Sequence, residues 1–213
     1  METKLSDNAE NNTVSSMKNT MPQHRVVDFS SQRKQSIYLL VDISGSMCGD
    51  AIESVNVSLQ SIFSVLKNTD NTFSWYLSLI LFHQTSEEKI PLTALSDISI
   101  PTIESVPSTA SFLGTALQEL LDNIEENYYS NQDNNNLPLL LIFTDGKLTD
   151  IAVFQKVITQ IRNGYFHKII ICIAGTIIND YLLKQFADRV VSLDTMGNME
   201  FQRLLCDDLE YGE

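Results

Sequence analysis

Ile37-Tyr38-Leu39-Leu40-Val41-Asp42-Ile43-Ser44-Gly45-Ser46-Met47 is the stretch on which the fold turns. Its first five residues form an unbroken apolar run, the mark of a strand buried on both faces. The run stops at a carboxylate and passes into alternating small polar residues. Such a strand belongs to a parallel sheet covered by helices, so the segments around it should alternate between strand and helix.

They do. Asp50 to Lys67 carries apolar residues at Ile52, Val55, Leu59, Ile62, Phe63 and Leu66, which is helical spacing. Phe73 to Phe82 reads as a strand. Lys89 to Leu92 reads as a short edge strand, because Pro91 lacks a donor for an inner ladder. Leu113 to Asn127 reads as a helix with Leu117, Leu120, Leu121 and Ile124 on one face. Leu139 to Phe143 and Lys168 to Ala174 are further buried strands. Asp150 is placed to N-cap a helix whose inner face is Phe154, Val157, Ile158 and Ile161. Asn179 to Ala187 is helical, Val190 to Leu193 is a strand, and Met199 to Glu210 is a last helix. The expected fold class is α/β: a doubly wound, mainly parallel six-stranded sheet with helices on both faces.

Two segments stand apart. Residues 1–34 read as a polar, flexible N-terminal tail, since Asp7 to Thr20 has no apolar period and cannot offset its ordering entropy. Val26, Val27 and Phe29 form a small apolar knot in it, which suits docking on the body or on a partner, or plain disorder. Residues 35–213 form the domain. Tyr129 to Asn136 reads as a polar loop.

Of 213 residues, 14 are Lys or Arg and 27 are Asp or Glu, a formal charge of −13. The tail holds five of the basic and four of the acidic residues, which leaves 9 basic against 23 acidic, a net −14, in the body. That balance argues against nucleic acid and anionic membrane, both polyanions. It suits a cation or a basic protein surface, and equally suits solubility alone. No apolar run reaches the roughly 18 residues needed to span a bilayer, and the first 30 residues show no signal-peptide h-region. Cys48, Cys172 and Cys206 form neither a CxxC nor an even set, which reads as a reducing cytoplasm. His24, His83 and His167 are scattered, so no zinc cluster is visible.

In a parallel sheet the ligand edge lies at the carboxyl ends of the strands. Asp42, Ser44 and Ser46 leave the first strand there. Thr144-Asp145-Gly146 leaves a later one, and Ser108, Thr109 and Ser111 precede the second long helix. Residues 42, 44 and 46 project to one side by period-2 geometry, with Gly45 expected to let the chain turn sharply. Hydroxyls and carboxylates are hard donors, suited to Mg²⁺, Mn²⁺ or Ca²⁺. On spacing alone Asp42 and Ser44 also suit plain helix capping.

DISGSM after an apolar strand, with LIFTDG after a later one, resembles the von Willebrand factor type A domain. That family's metal-ion-dependent adhesion site uses DxSxS, a distant Thr and a distant Asp. The resemblance implies Asp42, Ser44 and Ser46 as the DxSxS positions and Asp145 as the distant Asp. Ser111, in SFLGTAL, falls on the Thr position and keeps its hydroxyl, with Thr109 as the substitute if the loop is shifted. His83 leaves a strand where many relatives have Asp, which suggests either a place on the site rim or a structural role. The phrases LLVDISGSM-CGDAIESVN, PLTALSDI, LIFTDGKLTD and VVSLDTM are similar to the TerY-type tellurite-resistance proteins. That resemblance implies a setting with stress proteins, a protein kinase and a PP2C-type phosphatase. The adhesion-site resemblance implies a divalent cation with one open position, completed by a partner's Asp or Glu. The expected function is metal-dependent protein binding without enzymatic activity.

The alternative is a Mg²⁺-dependent phosphatase-like hydrolase with Asp42 as nucleophile. Its general acid would stand two residues on, where this chain has Ser44. Cys48 beside the cluster suits either a thiolate that senses oxidation or binds a soft tellurium species, or an ordinary loop thiol, and it has no Lys, Arg or His close by in sequence. Glu53 and Asn56 suit either bonds to the site loops or solvent.

Overall fold

In a computed structural model the described residues are 33–68, 73–128, 136–161, 164–175 and 181–209. Along the chain run β1 (Arg33–Asp42), α1 (Asp50–Asn68), β2 (Phe73–Phe82), β3 (Ser86–Ala94) and α2 (Leu113–Tyr128). There follow β4 (Leu139–Thr144), α3 (Ile151–Ile161), β5 (Lys168–Ile173), α4 (Tyr181–Phe186), β6 (Arg189–Ser192) and α5 (Asn198–Leu209). The strands form one six-stranded sheet in the order β3-β2-β1-β4-β5-β6. All neighbours are parallel except β2 and β3. The expected architecture is therefore the observed one.

The two-faced burial of the strands follows from their alternation. Ile37, Leu39 and Val41 join one core with Val55, Leu59 and Ile62 of α1 and Phe201, Leu204 and Leu205 of α5. Leu40 faces the other core, with Leu117 and Leu120 of α2, Phe154 and Val157 of α3 and Leu183 and Phe186 of α4. One run of apolar residues thus serves two cores, the reason it shows no polar alternation. Trp75 lies in the first core and Cys172 within β5, where burial pushes its thiol well above the ordinary range.

Several boundaries differ from the expectation, each for a pairing reason. β1 begins four residues before its apolar run, because Arg33 to Ser36 pair with Phe73 to Tyr76 of β2. β3 extends from Ser86 to Ala94 and is antiparallel at the sheet edge, where Pro91 is tolerated. Residues 1–32, 129–135 and 210–213 lie outside the described residues, and with them nearly all of the expected tail and polar loop. Among the described residues no helix is long and apolar enough to cross a membrane.

Asp150 corrects a reading of the sequence. Its carbonyl accepts the first bond of α3, from Phe154 N–H. Its carboxylate, however, accepts from Gly114 N at 3.2 Å, Thr115 N at 2.7 Å and Thr115 Oγ1 at 3.0 Å. It therefore caps the free donors of α2 rather than those of its own helix. The two helix starts come close enough for this because residue 114 has no side chain. A Cβ on Gly114 would lie 2.3 Å from the Phe154 backbone nitrogen.

Candidate metal centre

The carboxyl ends of β1 and β4 are adjacent, and α2 starts beside them, so three loops of distant sequence meet. Asp42 closes β1 and is fully buried. Its Oδ1 accepts from Ser44 N at 2.9 Å, while Oδ2 accepts from Ser111 Oγ at 2.6 Å and Thr144 Oγ1 at 3.0 Å. Burial pushes the Asp42 carboxyl above its ordinary range, and the bonds from Ser111, Ser44 and Thr144 oppose that shift without cancelling it. Among the described residues no Lys, Arg or His pairs with it.

Ser44 is buried and Ser46 exposed, with their hydroxyl oxygens 3.2 Å apart. Between them the chain makes a 3₁₀ turn, Gly45–Met47. Gly45 is not in the left-handed region that glycine alone visits freely. What its missing side chain permits is close approach: Gly45 N donates to Ser108 O at 2.8 Å, and a Cβ would stand 3.0 Å from that oxygen. The sharp turn expected of Gly45 is thus a packing requirement instead. Gly146, with φ of 81°, is where backbone freedom matters.

Ser111 is held from behind. Its N–H donates to Thr149 Oγ1 at 2.7 Å, and its carbonyl accepts from Thr149 Oγ1 at 2.9 Å and Thr149 N at 3.0 Å. Thr109 is exposed, and the hydroxyl bonded to Asp42 is that of Ser111. Asp145 follows Thr144 and is buried; its Oδ1 accepts from Lys147 N at 3.0 Å. His83 is half-buried, with its carbonyl accepting from Phe112 N at 2.8 Å and its Nδ1 buried without a hydrogen-bond partner among the described residues. Its backbone therefore braces the segment next to Ser111.

The structure thus brings Asp42, Ser44, Ser46 and Ser111 into one bonded group, with Asp145 just past the end of the neighbouring strand β4. Three contributors were given no role from the sequence. Thr144 bonds Asp42 and accepts from Gly146 N at 3.1 Å. Thr149 clamps Ser111, and Lys147 binds Asp145. The TDG triplet pointed at Thr144, but nothing local pointed at Thr149. Of the open alternatives, Asn56 bonds the site-side loop, donating to Ile103 O at 2.9 Å and accepting from Ile103 N at 2.8 Å. Glu53 and Cys48 are exposed.

The donor set is one of hydroxyls around a buried carboxylate that has no cationic partner among the described residues, which fits a hard divalent cation. Among the described residues no group of three or more His, Cys, Asp or Glu side chains is placed to hold a metal. A soft or borderline ion held by thiolates and imidazoles therefore finds no ready cage there.

The fold has many solved counterparts. Proximal thread matrix protein 1 from the mussel byssus superposes with a TM-score of 0.63 at 18% identity, over 82% of this chain and 47% of that one. A structure of the same protein is described as having a zinc-occupied MIDAS motif, with a TM-score of 0.59 at 13% identity over 82% of this chain and 46% of that one. The manganese-loaded Plasmodium vivax TRAP protein superposes with a TM-score of 0.55 at 21% identity, over 72% of this chain and 62% of that one. The chain therefore spans less than two thirds of the length of these neighbours. Among curated proteins none is similar enough to count as a relative. Residues 36–197, most of the chain, match the von Willebrand factor type A domain, and the chain belongs to that family.

Proposed function

We propose that this chain is a metal-dependent protein-binding module. In this reading Asp42, Ser44, Ser46, Ser111 and Asp145 hold a divalent cation, Mg²⁺ or else Mn²⁺ or Ca²⁺. Bound there, the cation supplies an electrophilic centre for a carboxylate of the partner. The chain's own residues do the rest. Asp42 supplies buried negative charge, Ser111 and Thr144 fix its orientation, and Ser44 and Ser46 offer neutral oxygens at the mouth. Neutral donors leave a cation in want of an anion, which favours capture of an exposed Asp or Glu.

The observation that carries the reading is the Asp42 carboxylate: fully buried, ringed by hydroxyls, and without a basic partner among the described residues. The manganese in one structural neighbour and the zinc in another are consistent with it. On the resemblance of its flanking phrases we extend the proposal to a cytoplasmic, TerY-type role in tellurite resistance or stress response, with kinase or PP2C-type phosphatase partners. The chain is proposed to be no enzyme, since Ser44 stands where an Asp42-based phosphatase needs an acid.

Thermal melts test the metal. Mg²⁺ at about 100 times its Kd stabilises the folded state by about 2.7 kcal/mol, or about 5–10 °C in Tm for a chain of this size. The shift should vanish in Ser44→Ala and Asp42→Ala. An equal shift in both variants would remove the assignment.

A further inference from the structure

Lys147 holds both oxygens of Asp145. Its Nζ lies 2.6 Å from Oδ2, and its backbone N–H donates to Oδ1 at 3.0 Å. The pair is unequal in exposure: 3% of the Asp145 side chain is accessible and 47% of the Lys147 side chain. Asp145 directly follows Thr144, which bonds Asp42. The ammonium is therefore seated on one of the two acids that stand at the carboxyl ends of the neighbouring strands β1 and β4.

We propose that Lys147 is a tethered cation. It pairs with Asp145 in the metal-free chain and leaves that carboxylate when a divalent cation loads, so that loading is an exchange of one cation for another. This rests on the metal centre proposed above. Three physical points support it. A buried carboxylate is costly without a donor or a positive partner, and the ammonium meets that need for Asp145. An ammonium and a divalent cation on one carboxylate repel each other at contact distance, so each weakens the other's binding there. The lysine stem is flexible and half-exposed, so its head can move into water at small cost.

The backbone bond gives the exchange its direction. Lys147 N–H on Oδ1 keeps the Asp145 carboxylate oriented after the side chain has left. The loop is set for this by Gly146, whose φ of 81° lets residues 145 to 147 double back. Asp42 is without such a cation among the described residues, so the two acids of the site differ: one is neutralised from within and the other is not. The chain's apparent affinity for a divalent cation is then set partly by a residue that does not ligate it.

Two measurements on the full chain test this. In the first, MgCl₂ is titrated calorimetrically into wild type, Lys147→Met, Lys147→Arg and Ser44→Ala. Lys147→Met should bind about two to five times more tightly, the scale of a released half-exposed ion pair. Lys147→Arg keeps a competing cation and should stay near wild type. In the second, amines are acetylated with a water-soluble succinimidyl ester and read by mass spectrometry, with exposed Lys89 as reference. Labelling of Lys147 relative to Lys89 should rise at least about threefold at saturating Mg²⁺ and stay flat in Ser44→Ala. Equal affinities in wild type and Lys147→Met, or labelling indifferent to Mg²⁺ in a chain that binds it, would overturn the exchange and leave the metal centre standing. Mg²⁺ that binds neither wild type nor Lys147→Met would remove the metal centre and the exchange with it.

Discussion

The hydroxyl of Ser111 donates a 2.6 Å hydrogen bond to the buried carboxylate of Asp42, 69 residues away in sequence. The bond joins the end of the central strand to the start of α2. It also places a hydroxyl on the oxygen that Thr144 approaches from β4. Replacing Ser111 by Ala leaves Thr144 as the remaining hydroxyl donor to that oxygen. The expected cost is about 1–3 kcal/mol of stability in EDTA, because a buried acceptor loses a partner. Ser111→Thr keeps the hydroxyl and should recover most of it. Urea unfolding of the three proteins decides. A loss in Ser111→Ala no greater than in Ser111→Thr would show that the bond contributes little.

The raised pKa of Asp42 has a consequence for stability against pH. Burial disfavours its charged form, so its folded-state value lies above its unfolded one. The stability Asp42 contributes is thus fully present below the ordinary carboxylate range. It is lost as pH rises through the elevated folded value. Comparison with Asp42→Asn, which does not titrate, isolates the effect from the other acids. In EDTA the stability of wild type minus that of Asp42→Asn should fall as pH rises through that window. Saturating Mg²⁺ should reverse the trend in wild type alone, by supplying positive charge to the carboxylate. Parallel pH profiles for the two proteins in EDTA would contradict the assignment.

Partner binding should respond to salt and to chelation in opposite senses. The body carries a net −14, so its long-range field repels an acidic surface. A short, buried carboxylate contact must outweigh that repulsion. Salt screens exposed charges over a Debye length of about 8 Å at physiological strength and screens a buried contact much less. Raising NaCl moderately should therefore leave affinity unchanged or improve it, whereas EDTA should abolish binding. Affinity that falls steeply with NaCl and survives EDTA would point to a basic partner on another face.

Much of this molecule is written in local pattern. Phe73–Phe82 emerges as a strand with the expected limits, because ten residues of sheet-forming chain between polar segments leave little choice. The helices show their inner faces at Val55, Leu59, Leu117, Leu120, Phe154 and Val157, since burial and the 3.6-residue turn together dictate that spacing. Asp42, Ser44 and Ser46 are likewise visible, because they follow one another closely where β1 ends, although the 3₁₀ turn at Gly45–Met47 replaces the extended alternation expected of them. Such features depend on near neighbours along the chain, and a single sequence carries them.

Tertiary structure decided the rest, wherever a residue's partner lies far away. Asp150 looks from its own helix like that helix's cap, yet its carboxylate serves α2, because Gly114 lets the two helix starts meet. Ser111 rather than Thr109 reaches Asp42, because Thr149 grips the Ser111 backbone from both sides. Thr144 joins the cluster because β1 and β4 are neighbours, and Asn56 ties α1 to Ile103 across 47 residues. A hydrogen bond records the distance between two atoms, and sequence separation constrains that distance only weakly once the chain has closed into a sheet. The kinds of donor at the strand ends could be read from the sequence, while the pairing of donors with acceptors depended on which strands became neighbours.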